Sequence, residues 1–253
     1  MLEDQIGIVI QARTGSTRMP LKVIQPFHEG KGVLEIIAER VHSTFHETPL
    51  AIATSVNEGD DQIEQISSKL GIRCFRGSEA NVLDRFIGAA NMINAQKVIR
   101  ICADNPFLDV DSLEKLKVKL EASKADYLSF QFSSGTPSIL SHIGLFAEGA
   151  STRGLKKAAE TTQDPLYTEH VTNYLYNHPK EFKVEWIPVS EEFDQSENIR
   201  LTLDTWNDFK LLQKLYSKFT NDFNSDTYKL IKFTKSQKDI LDYMGQEIKA
   251  NSK

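Results

Sequence analysis

The feature that most constrains this chain is an alternation that runs through its first half, in which short apolar runs are followed by stretches of helical period. Ile6 to Gln11 is an apolar run bounded by polar residues, the pattern of a buried parallel strand. Val33 to Thr44 sets Leu34, Ile37, Ala38 and Val41 on one helical face. Pro49 to Thr54 predicts a second strand. Asp61 to Leu70 predicts a helix with Ile63, Ile66 and Leu70 in register and Gly71 at its C-terminal stop. Arg73 to Arg76, Val82 to Ile93, Lys97 to Ala103 and Asp111 to Ala122 continue the order as strand, helix, strand, helix. Strands that alternate with single helices predict an α/β chain, a mainly parallel sheet flanked by helices. Sheets of this kind bind ligands at the C-terminal ends of their strands. That rule singles out three loops: Ala12 to Lys22, Ser55 to Asp61 and Asp104 to Asp109.

The second half is less regular. Asp126 to Phe132, Gly144 to Glu148, Lys183 to Pro188 and Ile199 to Leu203 read as strands. Ser151 to Thr161, Leu166 to Asn177, Trp206 to Phe219 and Tyr228 to Ile248 read as helices. With 253 residues and no obvious linker, one domain spanning 1–253 is expected, with 126–188 as an insertion that shapes a pocket. Lys249 to Lys253 reads as a disordered end.

Charge and cysteine content narrow the partners. The formal net charge of -5 carries no basic face, which argues against a nucleic-acid partner, while a small anionic substrate stays compatible with a few local cations. No apolar run of about eighteen residues occurs, so no membrane span is expected. The start Met1-Leu2-Glu3-Asp4-Gln5 lacks a signal pattern, and the simplest expectation is a cytoplasmic protein. Cys74 and Cys102 read as small buried hydrophobes without metal-ligand spacing.

Two loops carry the chemistry. After the first strand comes Ala12-Arg13-Thr14-Gly15-Ser16-Thr17-Arg18-Met19-Pro20-Leu21-Lys22. Small residues let backbone N–H groups approach an anion, and Arg binds phosphate oxygens in pairs. The segment is neither a Walker loop nor a dinucleotide fingerprint, and by itself it is either a solvated polar loop or a triphosphate cradle. Asp104 ends the strand before Asn105-Pro106, and Asp204 ends Ile199-Arg200-Leu201-Thr202-Leu203. Each acid either caps a turn or holds Mg²⁺, which is bound through one or two carboxylates plus phosphate oxygens. Asp109 and Asp111 read as caps of the next helix. His170 lies within a helical pattern as a packed residue or a general base, and Glu169 beside it is equally open. Trp186 and Trp206 read as core or helix-start anchors, and His28, His42, His46, His142 and His178 as surface or packing residues.

Together these residues resemble the cytidylyltransferases of nucleotide-sugar activation, and most of all the spore-coat polysaccharide and acylneuraminate branch. The resemblance rests on Ile10-Gln11-Ala12-Arg13 with Gly15-Ser16-Thr17-Arg18, Pro20 and Lys22. It continues through Ala53-Thr54-Ser55 with Asp60-Asp61, then Phe75-Arg76-Gly77-Ser78-Glu79 with Val82-Leu83-Asp84-Arg85. Arg100-Ile101 with Asp104, Pro106 and Asp109, then Thr168 to Thr172, then Arg200 to Thr205, complete it. It implies the nucleotide-diphospho-sugar transferase architecture, a Rossmann-like fold, and transfer of CMP from CTP to a small acidic sugar-like acceptor with release of pyrophosphate. It implies Mg²⁺ on Asp104 and Asp204, and phosphate binding by Arg13, Gly15, Arg18 and Lys22. Base and ribose contacts fall near Ala12, Ala53, Ser78 and Arg85, acceptor contacts near Gly144, Glu169 and His170, and the resemblance implies that the insertion 126–188 is acceptor-side or pairs two subunits in a homodimer. Within the resemblance, Arg13, Lys22, Asp104 and Asp204 are the residues of the chemical step. A glycosyltransferase on a nucleotide-sugar and a non-catalytic nucleotide-binding protein are the alternatives. Leu21 stands where the family has Gly between Pro and Lys, and Leu resists backbone angles that Gly accepts, so a different loop path is expected. Gly144 lacks the Asp that commonly follows two residues on, and Leu145 and Phe146 predict a more apolar acceptor pocket.

Overall fold

Seven strands form one sheet in the computed structural model, which describes residues 5–221 and 224–251. The first half runs β1 (Ile6–Gln11), α1 (Val33–Thr44), β2 (Leu50–Ser55), α2 (Asp61–Lys69), β3 (Arg73–Gly77), α3 (Val82–Met92), β4 (Lys97–Cys102) and α4 (Val110–Ala122). The second half runs β5 (Tyr127–Gln131), β6 (Glu148–Ser151), α5 (Thr152–Thr161), α6 (Pro165–Glu169), α7 (Asn173–Asn177), β7 (Val184–Pro188), α8 (Trp206–Phe219), α9 (Thr227–Ser236) and α10 (Lys238–Ala250). The strand order is β3-β2-β1-β4-β6-β5-β7, parallel throughout except for β6, which runs against both β4 and β5. The segment 126–188 thus supplies β5, β6 and β7 to the same sheet as the first half.

The apolar runs explain the layers. Ile6, Ile8 and Ile10 of β1 face a core shared with α1, α4, α8, α9 and α10, while Val9 faces the other core, with α3, α5 and α7. A parallel sheet covered on both faces needs side chains of this kind in both directions. Gly71 ends α2 with φ +67, the left-handed angle a glycine stop supplies. Helix α3 approaches β3 so closely that a Cβ on Gly88 would stand 2.2 Å from the Phe75 ring.

Four expectations change. Gly144 to Glu148 is not a strand: Gly144 takes φ +61, the Leu145 carbonyl is used by the Asp109 N–H at 2.8 Å, and pairing with β4 starts only at Glu148. Ile199 to Leu203 buries Ile199, Leu201 and Leu203 as a strand would. Its N–H groups nonetheless go to different segments, Leu201 to the His142 carbonyl at 2.9 Å and Leu203 to the Asp104 carbonyl at 2.8 Å, so no ladder forms. The expected helix over 166–177 breaks into α6 and α7 around His170, because Val171 turns into the core and Thr172 donates its hydroxyl to buried Glu148 at 2.8 Å. The expected helix over 228–248 breaks at Gln237, which takes φ -106 and ψ 94 between α9 and α10. Of the end expected to be disordered, Lys249 and Ala250 close α10 while residues 252–253 lie outside the described residues. Both cysteines sit in strands, as read, but are half-buried, and burial pushes each thiol up to about 11. Among the described residues no helix is long and apolar enough to cross a membrane.

The tight α3–β3 contact gives a prediction. Gly88→Ala should gain about 1 kcal/mol of helix propensity yet lose more by driving a methyl group into Phe75, for a net destabilisation of about 1–2 kcal/mol. Urea unfolding of the two proteins measures it, and a more stable variant would show that α3 can retreat from the sheet.

Candidate active site

The site lies where the strand order reverses direction, at the C-terminal ends of β1 and β4, the usual crevice of such sheets. Ala12 leaves β1 buried, and its N–H reaches the carbonyl of buried Ala53, two residues before the end of β2, at 3.1 Å. The loop that follows is stitched down by Asp60, which is 1% exposed. One Asp60 oxygen accepts from the Thr14 N–H at 2.7 Å and the Thr14 hydroxyl at 2.6 Å. The other accepts from the Ser55 N–H at 3.0 Å and the Ser55 hydroxyl at 2.5 Å. Burial alone would raise this carboxyl, but the Ser55 and Thr14 hydrogen bonds outweigh it and hold Asp60 below the usual aspartate value. Gly15 lies close to Glu79, whose Oε1 would be 3.2 Å from a Cβ placed there.

Leu21 accepts the left-handed angle itself, with φ +62. That is an angle a glycine would accept freely, and a leucine holds it at a local cost of about 1–2 kcal/mol. The Leu21 N–H bonds to the Thr14 carbonyl at 3.0 Å, so the strained residue closes the loop onto the segment that Asp60 anchors.

Lys22 follows, and its ammonium lies among three oxygens: Asp104 Oδ2 at 2.8 Å, Asp204 Oδ1 at 3.0 Å and the Leu203 carbonyl at 2.7 Å. Burial works against this charge, but Asp104 and Asp204 outweigh it and hold the Lys22 pKa above the usual lysine value. Asp204 is correspondingly depressed: burial would raise it, and Lys22, Arg18 and Arg200 pull it down. Arg18 lies 3.5 Å from Asp204 and donates to Asn251, which follows α10, at 2.7 Å. The two strand-end acids read from the sequence are thus brought to one cation.

Several residues that position these groups carry no stated role in the sequence reading. Buried Arg40 of α1 donates to the Pro106 and Leu108 carbonyls at 3.3 and 3.2 Å, which holds the loop after Asp104. Arg200 grips Asp208 with two bonds of 2.8 Å and Asp204 with one of 3.2 Å. Thr205 and Asp208 exchange bonds, Asp208 N–H to the Thr205 hydroxyl at 3.1 Å and Thr205 N–H to the Asp208 carboxylate at 2.9 Å. That reciprocal cap is legible as Thr205-Trp206-Asn207-Asp208. A further buried set joins Arg100 and Glu148 in an ion pair, with Tyr127 donating to Glu148 at 2.6 Å. An Arg on one strand and a Glu on a partner strand far along the chain leave no local pattern to read.

The remaining predicted residues form two further groups at the same edge. Arg13 pairs with Glu169 of α6 at 3.1 Å, both side chains substantially exposed, and His170 follows as the break before α7. Arg85 is 1% exposed; it donates to the carbonyl of exposed Ser78 at 2.8 Å, while its Nε and second terminal nitrogen lack partners among the described residues. Burial, and then the nearby positive charge of Arg13, lower the Arg85 pKa. Gly144 stands apart from Glu169 as a close approach, where a Cβ would meet Asn105 Oδ1 and the Leu201 backbone at 3.1 Å. Half-buried Phe146 packs against Phe130, Phe132 and Phe193 at the margin of the core. Asp109 caps α4 through the Ser112 N–H at 2.8 Å, as its position suggested. Trp186 packs on Tyr127 in the core, whereas Trp206 opens α8 half exposed.

The Asp60 anchor is testable. Asp60→Ala leaves two N–H groups and two hydroxyls without their acceptor, a cost of about 2–4 kcal/mol. Because the folded carboxyl lies below its unfolded value, the Asp60 contribution is whole above about pH 4 and fades as the pH falls through the folded pKa. Urea unfolding at pH 7 and at pH 3 should therefore show a gap between wild type and variant that narrows in acid; a gap that widened in acid would contradict the assignment.

Comparison with known proteins agrees over nearly the whole chain. A sequence model of a cytidylyltransferase family matches residues 7–248. The protein MJ1063 of Methanocaldococcus jannaschii is 36% identical over 228 residues, 90% of this chain and 89% of that one. The spore coat polysaccharide biosynthesis protein SpsF of Bacillus subtilis is 34% identical over 220 residues, 85% of this chain and 88% of that one. Among solved structures, a cytidylyltransferase from Leptospira borgpetersenii serovar Hardjo-bovis superposes with a TM-score of 0.79 at 26% identity, covering 94% of this chain and 96% of that one.

Proposed function

This chain belongs to the cytidylyltransferase family, and on that premise we propose that its β1–β4 edge transfers CMP from CTP to a small acidic sugar-like acceptor. An acceptor oxygen forms a bond to the α-phosphorus of CTP, the bond from that phosphorus to the bridging oxygen breaks, and pyrophosphate leaves. The observation that carries the reading is the convergence of Lys22, Asp104 and Asp204, with Arg18 beside them. The protein's work in such a transfer is positioning and charge neutralisation.

Arg13, Gly15, Arg18 and Lys22 are assigned to the triphosphate, where they offset its charge and that of the leaving group. Ala12 and Ala53 form the floor under the nucleotide. Arg85, with two unpaired donor nitrogens, and Ser78 are assigned to the base and ribose. Gly144, Glu169 and His170 are assigned to the acceptor side, within or beside segment 126–188, which also offers a surface for a homodimer.

The donor set fits a divalent cation: two carboxylates and a main-chain carbonyl already surround one positive charge, the Lys22 ammonium. Mg²⁺ asks for one or two carboxylates plus phosphate oxygens, so Asp104 and Asp204 are assigned to hold it. When bound, the ion would lower the pKa of the acceptor hydroxyl and stabilise charge on the α-phosphate.

Incubation with CTP, Mg²⁺ and a panel of sugar acids should release pyrophosphate; release of a nucleoside diphosphate from a nucleotide-sugar would replace this reading with glycosyl transfer. Asp104→Asn should lower turnover by about a hundredfold or more, as loss of one electrostatic stabiliser does. Unchanged turnover with normal metal dependence would remove Asp104 from the site.

A further inference from the structure

Lys22 does two jobs that exclude each other in space. Its place in the loop assigns it to the triphosphate, yet its ammonium sits between the two acids assigned to the cation. The contact is not a loose surface pair. The Lys22 side chain is 13% exposed and Asp204 18%, and a third oxygen, the Leu203 carbonyl, completes the grip at 2.7 Å. Three donors on the ammonium meet three acceptors, so its hydrogen-bonding capacity is filled.

The surrounding charges reinforce this arrangement. Asp204 is also met by Arg18 at 3.5 Å and Arg200 at 3.2 Å, and with Asp208 on Arg200 the cluster sets three cations against three carboxylates. Arg200 is 1% exposed and tied to Asp208, and it cannot leave. Of the two acids, Arg18 reaches only Asp204, at the same oxygen that Lys22 uses, and its other contact is with Asn251. Of the three cations, only Lys22 touches both acids.

We propose that Lys22 occupies the divalent-cation seat in the nucleotide-free protein, and that the ion takes the seat only when a triphosphate draws the ammonium out of it. The proposal rests on the assignment of Asp104 and Asp204 to the cation made above, and it adds the order of events. The ion and Lys22 compete for the same three oxygens, which lie 2.7 to 3.0 Å from the ammonium and would have to close in on a smaller ion coordinated at about 2.0–2.1 Å. A triphosphate changes the balance by offering Lys22 another anion a short swing away. Free metal without nucleotide therefore meets a blocked seat, and its apparent affinity is reduced by the fraction of time the seat is open.

Mn²⁺ binding followed by electron paramagnetic resonance, without nucleotide, tests this directly. Lys22→Met should bind Mn²⁺ about tenfold or more tightly than wild type, the factor expected if the ammonium holds the seat for roughly nine-tenths of the time. Adding Asp104→Asn to Lys22→Met should abolish the gain. Arg18→Met removes a charge from the same neighbourhood without opening the seat, and should change Mn²⁺ affinity by less than the Lys22 variant does. Lys22→Gln serves as the second variant, with circular dichroism confirming that each protein is folded. Equal gains from the Arg18 and Lys22 variants would reduce the effect to general electrostatics and overturn the proposal. Mn²⁺ binding that is unchanged or weaker in both Lys22 variants, yet lost in Asp104→Asn, would overturn it while leaving the cation assignment standing. No Mn²⁺ binding in any variant at millimolar metal, with CTP or without it, would bring down the assignment and the proposal together.

Discussion

One backbone hydrogen bond sets the spacing on which the site depends. The Leu203 N–H reaches the Asp104 carbonyl at 2.8 Å, which locks the tip of β4 beside a segment a hundred residues further along the chain. The two acids are then near neighbours through main-chain geometry, before any side chain acts. Bringing two carboxylates together in a half-buried place is costly unless positive charge accompanies them. Lys22, Arg18 and Arg200 provide that charge, and each comes with its own support. Lys22 rides on a loop held by Asp60, Arg18 leans on Asn251, and Arg200 is fixed by Asp208. Arg40 secures the loop beyond Asp104 from beneath.

The parts of the fold that were legible are those where one face of an element is apolar and its neighbours are close in sequence. β1 to β4, α1 to α4 and α8 follow from periodicity because the local pattern and the packing agree. Ile199 to Leu203 misled because apolar and polar residues alternate there as in a strand, yet even Arg200 is buried and the backbone partners lie in two unrelated segments; an alternating sequence does not by itself report pairing. The break between α6 and α7 was hidden for a related reason. The hydroxyl of Thr172 is claimed by Glu148, a residue twenty-four positions away that no helical pattern contains.

The site shows the same division. The cationic loop and Asp104 could be named because a sheet's C-terminal edge selects them, and Asp204 because it ends a run that alternates like a strand and matches the family resemblance. That the acids meet, and that a lysine stands between them, could not be read, since the contacts span more than eighty residues. Leu21 is instructive in a different way. The expectation of an altered loop followed from the cost of a left-handed leucine, and the cost is real, but the anchored segment around Thr14 imposes the angle regardless. Phe146, expected on the acceptor side from its place in the chain, sits half-buried among aromatic neighbours that are distant in sequence.

The cap at the start of α8 has a consequence for how this protein can change over evolutionary time. Asp208 closes the first turn of the helix and, through Arg200, also steadies Asp204. Helix stability and the placement of Asp204 therefore share one carboxylate. Drift at Thr205 or Asp208 cannot be absorbed as a mild loss of helix content and repaired by a better core elsewhere, because that repair would not restore the aim of the neighbouring acid. Lineages of this fold would be expected to vary freely along the outer face of α8 while its opening turn stays fixed.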